Sequence, residues 1–453
     1  MSGIAGVLGR NSEEKVARML TALKHRSHFR SEIFLGHLIN GEEYSVGAVS
    51  PQQSFLGLKR ETIEGGLEVC DGCSQGQFAK VTVHNCRCLR LERDIIGIKP
   101  LFYGMDANKG VFAFASERKA LWEIEVDSVK RVEPGQIIDV ENLKVVEKQR
   151  KTNHLSFDTI AIYDETYAVE TLTKLLKAAI NEHSSRNMGI AFSGGLDSTV
   201  LWALLENRED TILYTTGMAG SHDIKSAVNS ARLLNAHIRV VKLTLADIEH
   251  RIPHVMRAIE SFNPMDVAIA LPLHAISDSS RKDGIGLIMA GQGADELFGG
   301  YKRHFDAYKL SQDALCEMLR KDILNMGKNN LERDNLIAAS NTVELKLPYL
   351  DLNVVDFASK IAIQLKIKDD INKYILRKIA VRFLPHQIAY RHKKAMQYGS
   401  GVNGALNTLA RSYFSRDRGR DGDKDKDRDR DKRGIIGNYL KAIAEENDIR
   451  VAE

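Results

Sequence analysis

The stretch that decides the fold is Ala191-Phe192-Ser193-Gly194-Gly195-Leu196-Asp197-Ser198. A short apolar run, Met188 to Phe192, precedes its two glycines, and a helical pattern starts at Thr199. This order is typical of a strand, a tight turn and a helix N-terminus, where the helix dipole favours an anion. Glycines let a phosphate approach the backbone closely, although the Gly-Lys-Ser/Thr ending of a P-loop is missing. The pattern predicts a phosphate-binding loop, and the alternative is an ordinary strand-to-helix turn.

Length and composition limit the class of protein. A chain of 453 residues is too long for one compact core, so two or three domains are expected. The apolar fraction of 43% and charged fraction of 27% are those of a soluble globular protein. A net charge of +4 gives no sign of a nucleic-acid or membrane partner, and no apolar run approaches the roughly 18 residues that cross a bilayer. The N-terminus lacks the basic lead of a secretion signal, so a cytoplasmic protein is expected.

The cysteines leave three interpretations open. Cys70, Cys73, Cys86 and Cys88 fall close together, and their spacing suits four thiolates around a zinc ion. A disulfide is the second interpretation. The third is plain packing, because Cys86 and Cys88 sit in an alternating stretch that reads as a strand. The fifth cysteine, Cys316, lies on a helical pattern and is expected in the core.

The first third of the chain reads as short strands with glycine-rich turns and a helix near Glu13 to Lys24. The loop Ser193 to Ser198 resembles that of ATP pyrophosphatases, which cleave ATP to AMP and pyrophosphate. Three segments are similar to class II glutamine amidotransferases: Arg93 to Tyr103 (Arg-Asp-Ile-Ile-Gly-Ile-Lys-Pro-Leu-Phe-Tyr), Phe114 to Leu121 (Phe-Ala-Ser-Glu-Arg-Lys-Ala-Leu) and Glu133-Pro134-Gly135. These segments followed by the Ser193–Ser198 loop resemble, in this order, asparagine synthetase of class B, the glutamine-hydrolysing type, over nearly the whole chain.

The resemblance implies two folds. Residues 1–150 are expected to form an α+β N-terminal-nucleophile-like domain of two packed antiparallel sheets. Residues 160–412 are expected to form an α/β ATP pyrophosphatase domain with a doubly wound parallel sheet. The residues support the second fold, because segments with the pattern of strands alternate with helical segments of ten to fifteen residues, which favours a parallel sheet with ligands at its carboxyl ends. The expected elements are strands at Thr211 to Thr215, His237 to Leu243 and Gly286 to Ala290, and a helix at Asp223 to Leu234.

The glutaminase centre departs from the family pattern. The family has a cysteine after the initiator methionine, and its freed α-amino group, with a pKa near 7.7–8.0, serves as base. Here the position is Ser2, and a hydroxyl is a poorer nucleophile than a thiolate. The family segment His-Arg-Gly-Pro-Asp is represented by His25-Arg26-Ser27-His28-Phe29, which keeps two residues. We expect the scaffold to be kept and glutamine hydrolysis to be lost.

A second glycine loop, Ala290 to Tyr301, resembles the family's Ser-Gly-Glu-Gly-Ser-Asp-Glu-x-Phe-Gly-Gly-Tyr. The resemblance implies that Asp295 binds Mg-pyrophosphate together with Asp197, since carboxylates suit a hard cation; an ordinary acidic helix start at Asp295 and Glu296 is the alternative. Gln292 stands where the family has a glutamate, and an amide cannot act as a general base. The expected ATP and pyrophosphate ligands are Ser193, Gly194, Gly195, Leu196, Asp197, Ser198, Thr216, Gly291, Gln292 and Gly293.

The last third carries three further features. Asn372 to Arg377 matches the start of a family helix, and Lys393 falls where the family has a lysine that holds pyrophosphate. Lys394 is an equal neighbour, and a solvated basic turn is the alternative. Residues 415–433 are almost pure charge and are expected to form a disordered insert rather than a nucleic-acid arm, followed by a C-terminal helix in residues 434–453.

Together these features predict a carbon–nitrogen ligase. The resemblance implies that ATP and an acid, expected to be aspartate, form an acyl-adenylate that ammonia then attacks, with ammonia from solution rather than from glutamine. Two alternatives remain: the same chemistry on another carboxylic acid, as in β-lactam synthetases, or a non-catalytic ATP-binding relative. The expected partners are small molecules, with ATP and Mg²⁺ as cofactors and a homodimer as the possible assembly.

Overall fold

The structure is a computed structural model that describes residues 2–27, 30–50, 59–61, 66–74, 76–84, 88–149, 161–391, 399–417 and 432–452. Side chains are not described at 30, 59–61, 73, 74, 149, 329, 416, 417, 432 and 433. The chain divides into two compact units. The first comprises Met1–His183, Gly291–Asn335 and Thr342–Ile379, and the second comprises Ser184–Ala290, Leu336–Asn341 and Ala380–Glu453.

The strands of the described residues are short and most of them lie in the first half of the chain. They are β1 (Gly3–Leu8), β2 (Arg30–His37), β3 (Glu43–Ser50), β4 (Lys59–Glu61), β5 (Leu67–Ser74), β6 (Gln77–His84), β7 (Cys88–Arg93), β8 (Phe102–Asp106), β9 (Val111–Ala115), β10 (Val129–Arg131), β11 (Gln136–Glu141), β12 (Lys144–Gln149), β13 (Met188–Ala191), β14 (Thr211–Met218), β15 (Ile238–Leu243), β16 (Leu287–Met289), β17 (Glu344–Lys346), β18 (Ile367–Lys368) and β19 (Ile371–Asn372).

Helices dominate the second half. They are α1 (Ser12–Ala22), α2 (Arg118–Trp122), α3 (Glu165–Glu182), α4 (Leu196–Leu204), α5 (His222–Leu233), α6 (Leu245–Ile259), α7 (Pro264–Lys282), α8 (Ala294–Phe298), α9 (Lys302–Leu310), α10 (Gln312–Met326), α11 (Glu332–Ser340), α12 (Leu352–Lys360), α13 (Ile363–Lys366), α14 (Tyr374–Ala380), α15 (His386–Ala389), α16 (Val402–Asp417) and α17 (Lys432–Glu446), with 3-10 turns at Lys24–Arg26 and Pro348–Leu350 and a π-helical turn at Gly327–Leu331. No helix among the described residues is long and apolar enough to span a bilayer.

The first unit is built on two six-stranded antiparallel sheets. Their strand orders are β10-β8-β9-β1-β3-β2 and β12-β11-β7-β6-β5-β4. Strand β1 shows how they pack, because alternate side chains point to opposite faces. Ile4 and Leu8 join the core between the sheets, and Ala5 and Val7 join a second core beneath α1 and α2. This confirms the predicted N-terminal-nucleophile-like domain.

The second unit contains parallel strands in the order β15-β14-β13-β16. Strand β13 lies in the middle, and its residues Met188 and Ile190 are buried. Helices α4, α5, α6 and α7 follow or connect these strands, so the alternating pattern expected for a doubly wound α/β fold is confirmed.

Two local predictions were wrong. Helix α4 begins at Leu196, not Thr199, because Gly195 is its extended N-cap residue and Asp197 belongs to the first turn. Cys316 is exposed rather than part of the core. Its neighbours Leu315 and Leu319 are the buried positions of α10, and a residue next to Leu315 lies about 100° further round the helix.

The cysteine and tail predictions are only partly covered. Cys70 and Cys88 are buried and free, whereas the side chain of Cys73 and the whole of Cys86 lie outside the described residues, so zinc binding stays a prediction. Among the residues that are described, no group of three or more metal-ligating side chains occurs. Residues 418–431 of the charged insert are likewise outside the described part. Its two ends were wrongly predicted as disordered, because residues 415–417 continue α16 and residues 432–433 begin α17, which is the helix predicted after the insert.

Candidate active site

The loop between β13 and α4 is bent by Gly194, which has a φ of +68°. A side chain at Gly194 would be strained, and its Cβ would lie 2.6 Å from the carbonyl oxygen of Ser226 on α5. Gly195, with a φ of −80°, caps α4 without a side-chain hydrogen bond. The first turn of a helix leaves its backbone N–H groups without intrahelical partners, so Leu196, Asp197 and Ser198 present donors of the kind that bind phosphate.

Small hydroxyl side chains complete this loop. The Ser193 Oγ accepts a hydrogen bond from the Gly195 N–H at 3.3 Å and lies 3.5 Å from the Ser198 Oγ. The Thr199 Oγ1 donates to the Gly195 carbonyl at 2.6 Å. The loop is thus closed on itself by its own hydroxyls and backbone, which keeps its shape without a lysine.

Thr216 and Asp197 lie in the same unit as the loop. Thr216 is near the carboxyl end of β14, is buried, and donates its Oγ1 hydrogen to the Val241 carbonyl at 2.8 Å. Its hydroxyl hydrogen is therefore used by the fold. Asp197 is also largely buried, on the first turn of α4, where a carboxylate is favoured by the helix dipole.

The second glycine loop follows β16 and leads into the short helix α8. Gly293 precedes the helix with a φ of +96° and Gly299 ends it with a φ of +73°, so both turns suit glycine. The carboxylate of Asp295 forms an ion pair with the Lys373 ammonium at 2.6 Å, between Nζ and Oδ1. Lys373 is almost fully buried, and Asn372 donates to the Gly300 carbonyl at 3.1 Å, so the start of α14 is bound to this loop.

Glu296 is a structural residue of the same loop. Its Oε1 accepts the Tyr301 hydroxyl at 2.6 Å and the Asn330 amide at 3.4 Å. Burial and the adjacent Asp295 raise the pKa of Glu296. The carboxyl group therefore ties α8 to Tyr301, which follows it, and to Asn330 in the π-helical turn, and it holds its proton more tightly than an exposed glutamate.

Gln292 is bound to the start of α11. Its Nε2 donates to the Asp334 Oδ2 at 3.0 Å, and the Arg333 guanidinium donates to the other oxygen of that carboxylate at 2.9 Å. Asp334 is buried. This bond uses one of the two amide hydrogens, so the Gln292 carbonyl oxygen and the second amide hydrogen are the parts of this side chain left to meet a substrate.

The N-terminal centre is crowded with charge. The Ser2 hydroxyl donates to the Asp71 Oδ1 at 2.6 Å. Arg26 donates to the Ser2 carbonyl at 3.0 Å and lies 3.5 Å from the Asp71 Oδ2. Lys99 lies 3.6 Å from the same carboxylate. The Asp71 carboxylate thus holds the Ser2 hydroxyl in a fixed orientation through this hydrogen bond.

Glu117 holds the other side of Arg26. It pairs with the Arg26 Nε, with His25 at 2.9 Å and with Lys119 at 2.6 Å. Burial alone would raise the pKa of Glu117, but His25, Lys119 and Arg26 hold it well below its ordinary value. The two family residues retained at positions 25 and 26 are therefore fixed by an ion-pair network inside the domain.

The predicted site residues fall into two groups. Ser193 to Ser198 and Thr216 lie in the second unit, and Gly291, Gln292, Gly293, Asp295 and Ser2 lie in the first. Lys393 and Lys394 are outside the described residues. The sequence did not predict four residues that bind the site residues: Lys373, Arg391, Asp71 and Asp334. Lys373 and Arg391 stand inside segments that match the family.

Comparison with known proteins agrees with these motifs. The profile of the family described as Asparagine synthase matches residues 171–315 and 309–436, more than half of the chain, and that of the Glutamine amidotransferase domain matches residues 61–161. The chain is 33% identical to a putative asparagine synthetase (glutamine-hydrolysing) of Methanocaldococcus jannaschii over 73% of this chain and 70% of the relative. It is 27% identical to the asparagine synthetase B of Escherichia coli over 80% of this chain and 67% of that protein.

Solved structures give a weaker match. The glutamine phosphoribosylpyrophosphate amidotransferase of B. subtilis aligns with a TM-score of 0.28 and 13% identity, over 53% of this chain and 65% of that one, which is too low to bear on the fold. The family profile and the relative at 33% identity are sufficient by themselves. The chain therefore belongs to the asparagine synthase family and is a carbon–nitrogen ligase of the asparagine synthetase type.

Proposed function

We propose that the enzyme is an AMP-forming amide ligase that adenylates the side chain of aspartate and transfers ammonia to it. A carboxylate oxygen attacks the α-phosphorus of ATP and pyrophosphate leaves; the ammonia nitrogen then attacks the acyl carbon, AMP leaves and one proton is released. The observation that carries the proposal is the Ser193–Ser198 loop at the start of α4, whose shape is held by the Ser193 and Thr199 hydroxyls.

This loop suits the leaving pyrophosphate. Negative charge builds on that group as the bond to the α-phosphorus breaks, and fixed donors aimed at it lower the barrier. Backbone N–H groups of Leu196, Asp197 and Ser198 are such donors, and Lys393 is proposed as the mobile cation. Because the glycines carry no side chains, nothing from Gly194 or Gly195 blocks the approach.

Magnesium fits the donors of both loops. Asp197 and Asp295 supply carboxylate oxygens, the ligands this ion prefers beside phosphates. When bound, the ion would neutralise charge on the pyrophosphate. Asp295 already carries one counter-charge from Lys373, so this carboxylate would link the lysine and the ion.

The proposal is tested by exchange of labelled pyrophosphate into ATP in the presence of aspartate. We expect aspartate-dependent exchange in the wild-type enzyme and a loss of at least about tenfold in Asp197→Asn, because removing one charged partner at such a site costs more than about 1.4 kcal/mol. The exposed Asp313→Asn variant is the control. Absence of exchange with aspartate, in an enzyme that binds ATP, would contradict aspartate as the substrate.

We further propose that ammonia comes from solution. The support is the charge around Ser2, where Asp71, Arg26 and Lys99 are bound to one another and a hydroxyl replaces the family thiol. Asparagine formation should then proceed with ammonium and not with glutamine. Glutamate released from glutamine by the wild-type enzyme, and lost in Ser2→Ala, would refute this.

Gln292 supports a second candidate, an acid other than aspartate. Its amide cannot take up a proton, and Asp334 holds the nitrogen end, so the acceptor site differs from one with a glutamate. Screening carboxylic acids in the same exchange assay separates the two. An enzyme that binds no ATP with magnesium would instead be a non-catalytic relative. A homodimer remains an expectation, which light scattering on the purified protein tests.

A further inference from the structure

Arg391 has no assigned role in the proposed reaction, but it binds the loop at the start of α4. This residue follows α15, and its NH1 group lies within hydrogen-bond distance of the Gly194 carbonyl (3.2 Å), the Ser226 carbonyl (3.1 Å), the Ser226 Oγ (3.0 Å) and the Ser230 Oγ (2.6 Å). Ser230 itself donates to the Gly194 carbonyl at 3.0 Å. The Arg391 guanidinium thus joins the Ser193–Ser198 loop to α5.

The contact fixes the orientation of one peptide plane. In a trans peptide, the carbonyl of one residue and the N–H of the next point in opposite directions. The Gly194 carbonyl points to Arg391, so the Gly195 N–H points away from it, to the Ser193 Oγ at 3.3 Å. The Ser198 Oγ lies 3.5 Å from the same oxygen. The Gly195 N–H and the Ser193 hydroxyl that it contacts therefore lie on the side of this peptide opposite the guanidinium.

The contact also removes an unfavourable charge. A carbonyl oxygen carries partial negative charge and would repel a phosphate that approached it. The guanidinium of Arg391 carries positive charge and offsets the partial negative charge of that oxygen from behind. Glycine is required at position 194 for the same arrangement, since its φ is +68° and α5 packs against it.

We propose that Arg391 is a positioning residue for pyrophosphate: it binds the Gly194 carbonyl and so fixes the orientation of the Gly194–Gly195 peptide at the start of α4. This role rests on the proposed function, because it presumes that the loop binds pyrophosphate. It differs from that of Lys393, which would touch the leaving group itself.

The experiment measures the dissociation constant of inorganic pyrophosphate, with magnesium, by calorimetry on the full chain. We expect Arg391→Ala to weaken binding about 10- to 100-fold, since hydrogen bonds to a charged group contribute roughly 1.5–3 kcal/mol and each 1.4 kcal/mol is tenfold. Arg391→Lys should also bind weakly, because an ammonium cannot reproduce the planar fork. The exposed Arg382→Ala is the matched control and should bind as the wild type does.

Adding guanidinium ion at millimolar concentration to the binding measurement tests whether the lost side chain can be replaced. We expect it to restore part of the affinity of Arg391→Ala and to leave Arg391→Lys unchanged. Two results would overturn the positioning role while the proposed function stands. One is wild-type affinity for pyrophosphate in Arg391→Ala. The other is weakened affinity for pyrophosphate that guanidinium restores in neither Arg391→Ala nor Arg391→Gln. Wild-type protein that binds no pyrophosphate would overturn both.

Discussion

At the scale of single residues, Gln292 and Asp334 form the pair that we expect to tolerate substitution least. Asp334 is buried, and its carboxylate accepts from the Gln292 amide at 3.0 Å. The family glutamate cannot simply be put back at this position, because two carboxylates would then face each other in a site with little water. The buried carboxylate at position 334 therefore requires a neutral side chain at position 292.

We predict that Gln292→Glu lowers the free energy of unfolding by about 1–3 kcal/mol, the range for leaving a buried polar group badly paired. Asp334→Asn alone should also destabilise, since Arg333 loses its ion pair. Combined, the two substitutions recreate an amide facing a carboxylate, so the double variant should be more stable than the sum of the two changes. Thermal unfolding of all four proteins in a double-mutant cycle measures this; additive effects would contradict a direct contact.

At the scale of elements, the strand–loop–helix unit β13–α4 is the feature most fully determined by local sequence. Apolar residues, two glycines and small hydroxyls predicted it in the right order. The start of α4 was placed three residues late because Asp197 and Ser198 are polar and resemble loop residues. An acidic residue in a first turn is favoured by the dipole, which a hydrophobic pattern does not register.

The two glycines of this loop should respond differently to alanine. Gly194→Ala forces a side chain into a left-handed conformation against the Ser226 carbonyl, whereas Gly195 has an ordinary φ and its nearest neighbour, the Ser193 Oγ, can rotate away. We expect Gly194→Ala to cost about 1–3 kcal/mol of stability and to abolish pyrophosphate exchange. Gly195→Ala should cost less than about 1 kcal/mol. Equal melting temperatures for the two variants would contradict the structure.

At the scale of the whole molecule, long-range pairs escape prediction from sequence. Glu332, on α11, is buried and is contacted by Arg131 at 2.6 Å, Arg118 at 2.9 Å and Arg93 at 3.9 Å. Burial would raise its pKa, but the three guanidinium groups outweigh burial and hold that pKa below the ordinary value. Nothing in the local pattern around Glu332 distinguishes it from a solvated helix start, because its partners stand some 200 residues earlier in the chain.

We predict that Glu332→Gln destabilises the protein by about 3–5 kcal/mol, since breaking a buried pair strands the opposite charges. Glu317, paired with Lys321 on the exposed face of α10, is the matched control: Glu317→Gln should change stability by less than about 0.5 kcal/mol. Denaturant unfolding of both variants at pH 7 gives the comparison. A change at Glu332 no larger than that at Glu317 would show that the network contributes nothing to stability.

Acid should destabilise both units through buried histidines. Burial, with Lys346 nearby, lowers the pKa of His183 to about 4, and burial, with Arg251 nearby, lowers that of His274 to about 4. Both stay neutral in the folded protein, whereas the unfolded chain binds their protons near pH 6.5. The unfolded state therefore binds more protons between pH 6.5 and 4, and stability falls across this window by roughly 3 kcal/mol for each histidine.

Replacement of one histidine checks this pH dependence. His183→Gln should reduce the slope of the unfolding free energy against pH between 6.5 and 4. The exposed Gln387→Asn, which exchanges one non-titrating side chain for another, should keep the wild-type slope. An unchanged slope in His183→Gln would mean that His183 takes up its proton equally in both states.

The start of α11 has a consequence for dissecting the chain. Glu332 pairs with three arginines of the N-terminal region, Arg93, Arg118 and Arg131, and Asn335 accepts from Arg26 at 3.4 Å. Whatever chemistry survives at Ser2, residues 1–150 therefore supply the counter-charges that let this segment of the ligase be buried at all. A shortened ligase expressed without residues 1–150 would carry a buried carboxylate at Glu332 with no counter-charge. We expect such a protein to fold only when residues 1–150 are supplied as a separate polypeptide.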